Sequence, residues 1–106
     1  MIVTTGNDVP GHRIAECLHI VRGIVVRSPS ISQGIMGGLK QIVGGNIESY
    51  ARVCEAAREE AYDRMVAHAE DIGADAIIAM RYDATEFSQR ATEVLAYGTA
   101  VKLAAH

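Results

Sequence analysis

Tryptophan is absent from this 106-residue chain, phenylalanine occurs once, and proline and cysteine occur twice each. A core without large rings must be built from Ile, Val, Leu, Ala and Met, and in a chain this small such a monomer is thinly stabilised. The two cysteines, Cys17 and Cys54, lie far apart and show no CxxC spacing, so nothing marks them as a redox or zinc pair. No basic stripe is present, and no aromatic residues are interleaved with basic ones, which removes the electrostatic footprint and the stacking platform of a nucleic-acid binder. Long apolar runs are missing as well. The stretch Ile20 to Val26 is broken by Arg22 and Gly23 and is far too short to cross a bilayer. Met1 is not followed by a basic segment and an apolar run, so no signal peptide is expected. The expectation is a soluble cytoplasmic protein with reduced thiols and no membrane partner.

What the chain does have is one long amphipathic segment. From Ile47 to Ile72 no Gly or Pro intervenes. At about 100° per residue, Tyr50, Cys54, Ala57, Ala61, Met65, His68 and Ile72 share one arc, the expected core face. Ile47 and Val53 stand at its edges. Ala51, Tyr62, Val66 and Ala69 widen the apolar arc beyond what one small sheet covers, so a second surface is expected on that flank. Glu48, Arg52, Glu55, Glu59, Asp63 and Glu70 form the wet face, and the spacing pairs Glu48 with Arg52 and Glu60 with Arg64. Asn46 is the expected N-cap and Gly73 the expected terminator. The net charge is -3, and the segment Asn46 to Gly73 holds seven acidic against three basic residues, leaving the remainder near neutrality.

The remainder reads as strands and turns of a single domain, 1–106. Met1 to Thr5 forms a short edge strand, followed by a turn cluster through Gly6, Asn7, Asp8, Pro10 and Gly11. His12 to Arg27 is a long strand with Ile14, Leu18 and Ile20 on one face and Ala15, Cys17 and Val21 on the other, and Gly23 marks the place for a bulge. Ser30 caps a short glycine-weakened helix carrying Ile31, Ile35, Leu39 and Ile42. Ala74 to Phe87 alternates Ala76, Ile78, Met80 and Tyr82 against Asp75, Ile77, Ala79, Arg81 and Asp83. The last strand sets Leu95, Tyr97, Thr99, Val101 and Leu103 against the small residues Val94, Ala96, Gly98 and Ala100. The order is a short strand and then β-α-β-β, an α+β chain with one long helix on a small, mainly antiparallel sheet. A crossover through the helix makes the two long strands it joins parallel, with the last strand between them. One helix covers one sheet face, and the other, still apolar, is expected to meet a neighbouring subunit.

With these residues placed, the chain resembles the YbjQ-like family over nearly its whole length. The resemblance rests on Gly11, Ile14, Glu16 and Gly23, on the run Gly38-Leu39-Lys40-Gln41-Ile42-Val43-Gly44-Gly45, and on Tyr50, Ala57, Arg58 and Ala61. It continues through Gly73-Ala74-Asp75-Ala76-Ile77-Ile78 to Gly98-Thr99-Ala100-Val101. Members are labelled as heavy-metal-binding domains of unknown function. The resemblance implies a dodecin-like β-α-β-β two-layer subunit assembled as a ring, a homopentamer, with extra short strands joining subunits. Three positions depart from the family pattern: Asn46 where Arg is frequent, Ala51 where an acidic residue often follows the Tyr, and His19 where Gly is common.

Chemistry is sparse. Cys17 and His19 are two apart on a strand, which turns both to one face, and His68 lies on the core face near the helix end. A metal site from these three competes with the plainer reading of a buried thiol, a rim histidine and a hydrogen-bonded helix-end histidine, and the plainer reading is favoured because no recurrent ligand spacing is present. No metal ligand is therefore assigned. Gly34 to Lys40 lacks the Ser or Thr and the spacing of a phosphate loop. Asp75, Asp83, Glu86 and Glu93 read as solvated strand-end carboxylates. No catalytic set is found, and Cys54 reads as packing. Three functions stay open: a ring binding a metal ion or small molecule at subunit junctions, a structural or protein-interaction module without ligand, and an enzyme whose site lies between subunits.

Overall fold

The structure, a computed structural model, describes residues 1–27, 47–88 and 91–105. Among them are strand β1 (Ile2–Val3), strand β2 (Ile14–Arg27), helix α1 (Ile47–Asp71), strand β3 (Ala76–Ser88) and strand β4 (Ala91–Leu103). The strands form one mixed sheet in the order β1-β3-β4-β2. β4 is antiparallel to both β2 and β3, so the strands joined through the helix are parallel, and β1 adds parallel to β3 at the edge. This α+β architecture matches the expected topology. The expected Ser30-capped helix, the Gly34 to Lys40 stretch and the Asn46 cap lie outside the described residues.

α1 stops where its sequence predicts, and the cause is visible. Gly73 has φ 79°; its N–H bonds to the Glu70 carbonyl and that of Ala74 to the Ala69 carbonyl, both at 3.0 Å. These two bonds satisfy the last carbonyls of the helix and need a left-handed residue at Gly73. Ala74 then packs on the core cluster that contains Ala69, which fixes the angle at which the chain leaves for β3.

The helix lies chiefly over β2 and also meets the small-residue face of β4. Ala57, Ala61, Met65 and Ala69 pack with Ala96 and Ala100, with Val21 and Val25 of β2, and with Ile77 and Met80 of β3. The buried row advances by four residues, and such a ridge is inclined to the helix axis by about 26°, so it follows the twisted sheet. Ala69, expected on the flank, is therefore fully buried, while Ile72 is 37% exposed and Cys54 is exposed, against their expected place in the core stripe.

Gly23 does not mark a bulge. A Cβ there would run into the carbonyl oxygen of Ala61, the amide of Met65 at 2.5 Å and the Cβ of Arg64 at 2.8 Å, so the glycine is where helix backbone rests on strand backbone. The register shifts of β2 fall instead between Ile14 and Glu16 and between Cys17 and His19. The second separates Leu18, which packs under the helix, from Ile20, which is 64% exposed; the expected common face of Ile14, Leu18 and Ile20 does not exist. β3 carries a third shift between Ile78 and Arg81, centred on Ala79 with φ 52°. It turns Met80 and Tyr82 to the helix side and leaves Ala76 and Ile78 on the other, where they form a second small cluster with Val9 and Val101. Beyond that cluster the second face is open among the described residues. Ile20, Ile24, Val26 and Tyr97 are all exposed, so the two-sided burial expected for β2 is not met among the described residues. The chain measures 57 × 22 × 18 Å with a radius of gyration of 17.1 Å, against about 13 Å for a compact domain of this length.

Replacing Gly23 by Ala should push α1 off β2 and cost about 1–3 kcal/mol, the usual range for overpacking a tight core. Urea denaturation reads this as a lower midpoint at similar slope, and an unchanged midpoint would mean that the helix is not seated there.

Candidate functional site

Paired residues in adjacent strands point to the same side of a sheet. His19 pairs with Ala100 and Cys17 with Val101, so His19 shares the helix side and Cys17 the opposite one. The extra residue inserted between them is the reason, and it overturns the expectation that both face one way. His19 and His68 do meet, their ring centroids 6.1 Å apart in an edge-to-face arrangement. Cys17 is exposed and takes no part.

The orientation of His68 limits what the pair can do. Its Nδ1 accepts a hydrogen bond from the Arg22 N–H at 3.3 Å, so in the neutral ring the proton sits on Nε2. A metal-bound histidine is arranged the other way round, giving one lone pair to the metal and donating its other N–H to an acceptor. Binding through Nε2 would need the opposite tautomer and would break the bond to β2. Among the described residues no group of three or more His, Cys, Asp or Glu side chains could hold a metal ion. The structure brings His19 and His68 together but not Cys17.

The carboxylates of the strand ends are also used locally. Asp75 accepts the Leu103 N–H at 2.9 Å and Asp83 accepts the Ala84 N–H at 2.9 Å. Arg64 pairs with Glu60 at 2.9 Å as the helical spacing predicts, and its Nη1 donates to the Ile24 carbonyl at 2.7 Å. That second bond has no sign in the sequence, because its acceptor is a backbone atom.

Sequence reasoning missed one feature. A shallow cleft of about 390 Å³ runs along the helix flank, lined by Glu55, Arg58, Glu59, Tyr62, Asp63 and Tyr82. It exists because the shift at Ala79 brings Tyr82 to the helix side, which an unbroken alternation does not foresee. Burial raises the Tyr82 phenol above its ordinary range, helped by Tyr62, Asp63 and Glu59 and opposed by the Arg58 guanidinium. Three carboxylates and a guanidinium frame the two phenols, and no nucleophile and base are paired there.

Residues 1–104 match the model of the YbjQ family, described as "Putative heavy-metal-binding". A UPF0145 protein of Legionella pneumophila strain Paris is 62% identical, across 95% of this chain and 96% of its own length. Another from Chromobacterium violaceum is 54% identical across 96% and 87%. Among solved structures, a protein of unknown function from Pediococcus pentosaceus, assigned to the DUF74 family, superposes with a TM-score of 0.63 over 98% of each chain at 17% identity, a likeness of fold. No helix among the described residues is long and apolar enough to cross a membrane.

Two measurements follow from this geometry. Zinc uptake by the wild type and by His68→Ala should superimpose, and weaker uptake by the variant would return His68 to the ligand set. Because the folded state disfavours ionised Tyr82, the unfolded chain loses that proton first, and stability should fall as pH rises beyond the ordinary tyrosine value of about 10. Tyr82→Phe should flatten that alkaline slope in urea denaturation series, and an identical slope would show that Tyr82 is not shielded from water.

Proposed function

The chain belongs to the YbjQ family, and on that premise we propose that it is a self-assembling ring protein of the cytoplasm, a homopentamer of dodecin-like subunits that takes a metal ion or small molecule at its subunit junctions. The observation that carries this reading is the open sheet face. Ile20 is 64% exposed and Val26 49%, and with Ile24 and Tyr97 they stand on the face that α1 leaves bare. Contiguous apolar surface of this kind marks an interaction site. A head-to-tail contact between unlike surfaces closes into a ring when its rotation allows. The elongated subunit, 57 × 22 × 18 Å, fits a role as one segment of a larger body. The family's description supports a metal ligand, and the lack of a three-donor group among the described residues of one subunit favours donors drawn from two.

A second reading has its own support. Glu55, Glu59, Asp63 and Glu70 are all exposed on α1, and an assembly would present this acidic face repeatedly to a basic protein partner, with no ligand required. Such binding would weaken with added salt.

Native mass spectrometry of the intact protein tests the first reading: a five-subunit mass with a stoichiometric adduct is expected. A bare ring moves weight to the second reading, and a stable monomer sinks both the ring and the role given to the open face. Ile20→Glu should dissociate the assembly while leaving the far-ultraviolet circular dichroism of the subunit unchanged.

A further inference from the structure

Among the described residues β2 is the outermost strand of its side of the sheet. In an antiparallel edge strand, alternate residues turn both backbone polar groups toward the partner and the rest turn theirs outward. An outward row left open invites another strand to add, a hazard that proteins commonly blunt with proline, charge or a covering element. β2 contains no proline. Two side chains of α1 cover it instead. His68 Nδ1 accepts the outward N–H of Arg22 at 3.3 Å, and Arg64 Nη1 donates to the outward carbonyl of Ile24 at 2.7 Å. Arg64 and His68 are one helical turn apart and so reach neighbouring outward positions of the strand. The two bonds occupy one donor and one acceptor that an incoming strand would need.

The two covers differ chemically. Arg64 stays charged at any working pH, so its bond persists. A neutral imidazole has one acceptor nitrogen and an imidazolium has none, since both nitrogens then donate. A proton on His68 therefore sets a donor against the Arg22 N–H. The charged and titratable groups around His68 are His19, whose ring centroid lies 6.1 Å away, Arg22 on the same strand, and Arg64 and Asp71 on α1 one turn before and three residues after.

We infer that His68 and Arg64 form a proton-sensitive lock on the free edge of β2, closed while His68 is neutral and half released when it takes a proton. The inference is independent of the ring, since both bonds lie within one subunit. Residue-resolved amide hydrogen exchange on the intact protein, corrected for intrinsic rates, tests it across about pH 8 to 5, where imidazoles titrate. Protection of the Arg22 amide should fall about tenfold with acidification, the scale set by one hydrogen bond, while the Gly23 amide, which faces β4, keeps its protection. His68→Gln supplies an acceptor that does not titrate, and should hold Arg22 protection level with pH; His68→Leu should leave it low throughout. Nitrogen-15 spectra of His68 should report the Nε2–H tautomer in the neutral ring. Arg22 protection that ignores pH in the wild type, an equal fall in His68→Gln, or the Nδ1–H tautomer would each overturn the lock.

Discussion

Helix backbone resting on strand backbone at Gly23 is the contact on which the rest of this fold depends. No side chain separates α1 from β2 there, so every residue near the contact must be small or lie flat. Ala57, Ala61 and Ala69 on the helix and Ala96 and Ala100 on β4 satisfy that demand. The scarcity of large aromatic residues then has a structural meaning, because a layer this thin has no room for them. Among the described residues the aromatic side chains lie outside that layer. Tyr62 and Tyr82 line the flank of α1 and Tyr97 stands on the open face. The close approach also brings Arg64 and His68 within reach of the strand edge, so packing distance and edge chemistry share one cause.

Much of this arrangement was legible in the residues. The uninterrupted run after Ile47, with Gly73 behind it, located the helix to within one residue of its observed end. The clean alternation of β4 separated the small helix-facing row from the row of Leu95 and Tyr97. Crossover logic placed β4 between β2 and β3. What could not be read were the register shifts. Ala79 adopts a positive φ although a residue with a Cβ resists it, and no local signal marks it. The bulge is held from elsewhere, since Ala79 donates to the Gly6 carbonyl at 2.8 Å and Met80 to that of Thr4 at 3.0 Å. A period-two reading carries its faces straight through such a point, and so it grouped Ala76 and Ile78 with Met80 and Tyr82.

The candidate chemistry divides the same way. His68 was recognisable as a histidine turned toward the sheet near a helix end, and its meeting with His19 follows from crossover geometry. Cys17 was lost to the bulge. The partner that decides the tautomer of His68 is the amide of Arg22, and spacing rules built on side chains cannot see a backbone donor. The open sheet face was foreseeable, because β2 carried apolar residues on both sides while the one long helix covers a single face.

The position of β4 bears on how the protein is made. β2 and β3 share no ladder; each is bonded to β4, the last of the strands to leave the ribosome. Until it emerges, two long strands with apolar faces wait without their common partner. Pairing of distant segments is slow, and exposed strand edges are prone to aggregate during that wait. Folding therefore cannot be completed before β4, the common partner of β2 and β3, has been made.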